Sequence, residues 1–153
     1  MTQTFTAQVK EWTERQARNM DLIAKDAIQT TFHAMTEVQP SVKDTGGSYE
    51  IGKVPVDTGY LIGTAFLAIN GADTATGNVA SKTPPDFAMG LAGMEIGDVA
   101  MAAFTAPYAR RLEYGFTGED SKGRTYNQEG RFFVRQAAQG WQEAVNAAVE
   151  KFR

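Results

Sequence analysis

Residues 4–36 read TFTAQVKEWTERQARNMDLIAKDAIQTTFHAMT, a stretch with neither glycine nor proline. Phe5, Val9, Trp12, Met20, Ile23, Ala27, Ile28, Thr31 and Met35 recur at threes and fours, the spacing that sets side chains along one face of an α-helix. A helix over this range, bounded by Pro40, runs about 50 Å at 1.5 Å per residue. That is longer than a compact domain of this size covers. The stretch therefore predicts a long N-terminal helix of which one part meets another molecule, or else a helix that bends or packs across its own sheet.

Working outward, all 15 glycines fall between Gly46 and Gly140. Beyond them a second helical stripe is formed by Ala137, Ala138, Trp141, Val145, Ala148, Val149 and Phe152. We expect this C-terminal helix to cap a sheet, with Trp141 buried against it. Short β-like runs over 64–69 and 98–105 lie between the two helices. In the second run Val99, Met101 and Ala103 alternate with Ala100, Ala102 and Phe104, so both strand faces are expected to be covered. The pattern predicts an α+β domain: a small antiparallel or mixed sheet packed by the N-terminal and C-terminal helices. Residues 1–153 are expected to form one domain, with 1–37 as the helix and 54–153 as the α+β core. Three long polar connections, 39–55, 70–93 and 116–130, are expected to lack regular structure, and the last two to become ordered on assembly.

Composition narrows the function classes. A chain of 153 residues with 42% hydrophobic and 10% aromatic residues suits one globular core. No apolar run approaches the roughly 20 residues needed to cross a bilayer. The opening MTQTFTAQVKEW has no basic segment followed by an apolar one, so no secretory signal is expected. The absence of cysteine removes thiolate chemistry and disulfides and suits a reducing cytosol. The net charge of −3 is unevenly spread. Residues 36–107 carry three lysines against eight acids, and residues 108–135 carry six basic groups against four acids. An acidic region facing a basic one predicts charge pairing across a subunit boundary, with Arg110 and Arg111 as its leading residues; the alternatives are a solvated surface whose charges cluster by chance and, for one of these arginines, a pair with Glu113 in its own subunit. The basic excess is too small for tight nucleic-acid binding.

Catalysis has little to work with. His33 is the only histidine and sits inside the helical stretch, where it reads as an ordinary helical residue. A three-histidine or cysteine-containing zinc site is excluded, and a Ser-His-Asp triad has no support. Glu119 and Asp120 lie together in a glycine-rich segment and read as solvated. No GxxxxGK[ST] or GxGxxG is present, so no nucleotide cradle is expected. The sequence predicts a non-enzymatic protein without metal or cofactor.

Three short clusters stand out. In VPVDTGYL, residues 54–61, Asp57 or Thr58 is placed to accept a helix N-terminal N–H, and Gly59 permits a tight approach. In APYARRLEYG, residues 106–115, Pro107 ends a strand, Tyr108, Ala109 and Leu112 line the inner face of a short helix, Glu113 and Tyr114 close it, and Gly115 stops it. In GRFFVRQA, residues 130–137, Phe132 and Phe133 bring aromatic mass before the last helix, between Arg131 and Arg135.

In this order the DTGxL, YARRLEYG and GRFFVR elements resemble the tail-completion and neck proteins of long-tailed bacteriophages and prophages, over about residues 54–153. Ile62 and Gly63 follow Leu61, where the family carries an aliphatic-arginine pair. The resemblance implies a small α+β subunit that closes into a sixfold ring at the head-proximal end of the tail tube. There it ends tube growth and joins the tail to the head connector. It implies as partners further copies of the chain, the tail-tube protein and the head-connector proteins. Genomic DNA would pass through the lumen without sequence-specific contacts. No cofactor and no membrane are implied. The location would be the virion neck, after synthesis in the host bacterial cytoplasm. The subunit interface is then expected at Asp57, Thr58, Gly59, Tyr108, Arg110, Arg111, Glu113, Tyr114 and Arg131. A head-completion protein of the same neck is the nearest alternative. A small metal-dependent hydrolase or nuclease using the acids of the middle region is an alternative of another class.

Overall fold

A computed structural model describes residues 4–153. Helix α1 spans Phe5–Met35. The Thr4 hydroxyl accepts from the Ala7 N–H at its start, and the Thr36 hydroxyl donates to the carbonyls of Phe32 and His33 at its end, so both termini have side-chain partners. The i,i+4 ion pairs Lys10–Glu14, Glu11–Arg15 and Asp21–Lys25 lie along it, each adding a few tenths of a kcal/mol of local support.

The remaining elements follow in short pieces. Strand β1 (Val38–Pro40) pairs in parallel with β2 (Val54–Val56). After the one-turn helix α2 (Tyr60–Gly63), β3 (Ala65–Ile69) forms the centre of a three-stranded antiparallel sheet. Its neighbours are β4 (Ala72–Thr76) and β5 (Ala100–Phe104), with α3 (Phe87–Leu91) between them in sequence. Helix α4 (Ala109–Tyr114) leads into a hairpin of β6 (Gly115–Glu119) and β7 (Thr125–Glu129). Two helices, α5 (Phe133–Gln139) and α6 (Trp141–Phe152), meet at Gly140. The fold is α+β, with helices at both ends of the chain and its strands divided among three small sheets rather than one.

Helix α1 serves two packing layers. Ala24, Ile28 and Phe32 lie against Leu67, Phe87, Leu91 and Met94, the core between the helix and the three-stranded sheet. An adjacent face of α1, with Ile23 and Ala27, meets Ala144, Val145 and Ala148 of α6. A third core joins Val54, Leu61, Ala106 and Phe133, with Phe104, Ala109 and Leu112 packed on it.

Three expectations are corrected. Helix α6 packs on α1 and not on the sheet, because the contact is made by alanines that let the two helices approach closely. Trp141 therefore lies off the contact and is 42% exposed rather than buried. Strand β5 is not covered on both faces: Met101, like Val99 just before the strand, stands in solvent, while Ala100 and Ala102 pack on the core. The connections also carry structure. Residues 70–93 contain β4 and α3, residues 116–130 form most of the β6–β7 hairpin, and residues 39–55 take in most of β1 and the start of β2. The hairpin turns at Asp120–Gly123, where the Gly123 N–H donates to the Asp120 carbonyl at 3.0 Å. Aspartate at the first turn position and glycine at the fourth are the residues such a turn favours.

The first half of α1 is not covered by any other element among the described residues: residues 4–18 are all exposed. Helix α6 runs back along α1 from Ala34, beside α5, to Asp26, where Lys151 forms an ion pair, and α6 ends at Phe152. Beyond that point Phe5, Val9, Trp12 and Met20 prolong the same stripe of α1 without a cover, at 79%, 46%, 60% and 58% exposure. Among the described residues, no helix is long and apolar enough to cross a membrane.

The two aromatic residues test this packing. Phe133 is 1% exposed, and Phe133→Ala is expected to cost about 3–5 kcal/mol. Trp141→Ala is expected to cost clearly less, because the ring is already part-solvated. Urea unfolding of the two variants measures both, and the reverse order overturns the placement.

Candidate functional site

The three sequence clusters converge. Val54 and Leu61 from the first, Ala106 from the second and Phe133 from the third form one buried cluster. The backbone ties them further: Arg131 donates its N–H to the Leu112 carbonyl at 2.7 Å, Phe132 donates to Glu113 at 3.1 Å, and Gly52 donates to Arg131 at 2.6 Å.

Glu113 supplies the central polar contact. It is 5% exposed, and its two carboxylate oxygens accept the N–H groups of Val134 and Arg135 at 3.0 and 2.9 Å. These are orphan donors in the first turn of α5, so the charge sits where unpaired N–H groups and the helix dipole favour it. Neither Arg110 nor Arg111 forms an ion pair with Glu113 among the described residues. Arg110 is exposed, and the Arg111 guanidinium lies 4.4 Å from the centroid of Phe116.

Two backbone positions hold this arrangement. Gly115 follows α4 with φ +83°, and a Cβ there would lie 2.5 Å from the Gln128 carbonyl oxygen. Only glycine fits without a shift. Phe132 adopts the left-handed conformation, φ 51° and ψ 35°, which costs a bulky residue on the order of 1–3 kcal/mol. Its bond to Glu113 and the Arg135 guanidinium 5.6 Å from its ring centroid accompany that geometry.

Five of the nine expected interface residues come together. Asp57, Thr58, Gly59, Tyr108 and Arg131 line one groove of about 330 Å³, with Lys43, Pro55, Tyr60 and Leu112 among its other walls. The Thr58 hydroxyl accepts from the Tyr60 N–H at 3.4 Å, while Gly59 takes φ +80° before α2. The Tyr60 and Tyr108 rings stand 6.2 Å apart. Burial, then the neighbouring Tyr60 and the carboxylate of Asp57, raise the Tyr108 phenol above its usual pKa. A second cleft adjoins the first through Tyr108, Leu112 and Gln128, and carries Arg111, Phe116 and Tyr126. Arg110, Glu113 and Tyr114 line a shallower pocket with Phe104 and Phe133 instead. The nine residues thus surround α4 without forming one patch.

Arg131 is the unusual member. It is 5% exposed, its guanidinium carbon lies 3.5 Å from the Tyr49 ring centroid, and Nη1 donates to the Glu129 carbonyl at 2.8 Å. Its Nε is the one buried side-chain polar atom among the described residues without a hydrogen-bond partner. The Glu129 carboxylate accepts from the Tyr49 hydroxyl and raises the Tyr49 pKa. Tyr49 and Glu129 were not singled out by sequence, because 80 positions separate them and neither stands in a local pattern. His33 is exposed and lies edge-on to Phe87 at 5.4 Å. Among the described residues, no group of three or more His, Asp or Glu stands close enough to hold a metal ion.

Two outcomes follow from this geometry. Glu113→Gln replaces one acceptor at the start of α5 with an amide NH2 and is expected to destabilise the fold by about 1–3 kcal/mol in urea unfolding; an unchanged midpoint contradicts the capping role. In the hairpin turn, the Arg124 backbone N–H, joined by its guanidinium and the Lys122 N–H, holds the Asp120 carboxyl below the ordinary value of 3.8. A depressed folded-state pKa means that the turn gains stability above about pH 4 and loses it as pH falls through the lower folded value. Amide signals of residues 120–126 are expected to change below pH 4 in wild type, and Asp120→Asn is expected to remove that change.

Comparison with protein-family models, with curated proteins and with solved structures finds no match to this chain.

Proposed function

We propose that the chain is a structural assembly subunit of a phage neck, a tail terminator that closes into a sixfold ring, ends tail-tube growth and joins the tail to the head connector. The observation that carries this reading is the free half of α1. Phe5, Val9 and Trp12 stand at i, i+4 and i+7 in a segment left exposed among the described residues, the anchor spacing with which a helix docks into a groove. An exposed apolar stripe of this kind marks an interaction surface.

The same chain presents an aromatic-walled groove elsewhere. A protruding helix and a remote groove are unlike surfaces, and the contact between unlike surfaces of identical copies is the kind that generates rings. The three elements that resemble neck proteins form one packed cluster beside that groove, which supports treating them as a unit. The uneven charge, acidic over 36–107 and basic over 108–135, favours contacts that weaken with salt. The passing DNA then meets a mildly acidic protein that does not grip it.

The mass in solution tests assembly. The wild-type protein is expected to form a particle of six copies of a 16.6 kDa chain. Phe5→Ser with Trp12→Ser is expected to give monomers that keep the parent's fold by circular dichroism, because both side chains are solvated within a single subunit. A monomeric wild type, or a variant that assembles like the parent, overturns the reading. Addition to growing tail tubes tests the role: a terminator shortens their length distribution, and unchanged tubes sink it.

A further inference from the structure

We propose that the groove around Arg131 is a binding site for a carboxylate carried on an apolar or aromatic body. The proposal goes beyond the assembly reading and stands whether or not the chain forms a ring.

A guanidinium is rarely buried without an anion, because its lost hydration must be replaced. Arg131 is 5% exposed, yet it makes no ion pair among the described residues. The nearby acid is otherwise engaged, since the Glu129 carboxylate accepts from Tyr49 and gives Arg131 only its backbone carbonyl. Arg131 is thus short of acceptors, and Nε has none. The Tyr49 ring covers one face of the guanidinium plane, which directs further bonding toward the plane's edge, where its N–H groups suit the two oxygens of a carboxylate.

The space beside this cation matches such a ligand. The groove is about 330 Å³, within the range of small-ligand sites. Pro55, Tyr60, Leu61, Tyr108 and Leu112 offer apolar and aromatic wall, while Lys43 adds a second cation. Asp57 is the one acid among the lining residues, leaving the local charge positive. An apolar body on the tyrosine walls and a carboxylate on Arg131 would satisfy both features at once.

The test uses the intact protein and matched probes. 3-Phenylpropionate and 3-phenylpropanamide differ in charge and scarcely in shape, and they are titrated while the amide signals of Gly59, Tyr108 and Leu112 are followed. A blocked Phe-Glu dipeptide and its Phe-Gln counterpart form a second arm. The acid is expected to bind and its amide to bind on the order of tenfold more weakly or worse, the loss of a charge-assisted bond. Binding by the free acid assigns the site to small carboxylates. Binding by the acidic peptide alone assigns it to a carboxylate on a protein chain, and both outcomes support the proposal. Equal binding of acid and amide in both arms, or binding by neither acid, overturns it. Arg131→Met is expected to erase the preference for the acid. Should that variant fail to fold, the wild-type comparison still decides.

Discussion

The structure turns on the carboxylate of Glu113 at the start of α5. This one side chain, at the end of α4, satisfies two donors of a helix that begins 20 residues later. To reach them the chain must leave α4 through a positive-φ glycine, complete the β6–β7 hairpin and return with Phe132 in a left-handed conformation. That return aims Phe133 into the core shared with Val54, Leu61 and Ala106. Without a carboxylate at this position the first turn of α5 would be buried with unmet donors, a defect worth a few kcal/mol in a fold with only about 5–15 kcal/mol of net stability.

The second organising element is α1, which presents one side to the sheet core and an adjacent side to α6. The two contacts differ in kind. Toward the sheet, Ile28 and Phe32 interdigitate with Phe87 and Leu91, and depth of burial dominates. Toward α6, Ala27 faces Ala144 and Ala148, and proximity of the helix axes dominates. The helix is held only along its C-terminal half, and so the chain has a packed body and an uncovered arm.

Much of this was legible in sequence, for identifiable reasons. The periodicity of 4–36 and the lack of breakers placed α1 within a residue at each end, and the short β-like runs at 64–69 and 98–105 placed β3 and β5. The clusters at 54–61 and 106–115 were read as capping and turning elements, and Thr58, Gly59 and Gly115 do serve as such; Glu113 was expected to close α4, and its capping of α5 was not foreseen. What failed was ranking by size. Trp141 was expected inside because it is large and lies on an apolar stripe, yet a close helix pair selects alanine and leaves the indole outside. The hairpin was missed because Thr125, Asn127 and Glu129 are polar on its outward side, so its strands show little hydrophobic alternation. The Asp120–Gly123 turn was the signal that could have revealed it. Arg131 was named for its neighbours, and its isolation from any counter-charge became visible only once Tyr49 and Glu129 were brought beside it.

The uncovered arm has a consequence in the cooperativity of helix formation. An isolated segment of this length is marginal in water, because the first turn fixes several residues for a single hydrogen bond. Here that nucleus is supplied by the half of α1 locked between sheet and α6. The exposed half needs only propagation, one bond per residue fixed, helped by the Lys10–Glu14 and Glu11–Arg15 pairs. The body thus acts as a template that keeps Phe5, Val9 and Trp12 in register before anything touches them, and a partner meets a preorganised helix whose ordering entropy has already been lost during folding.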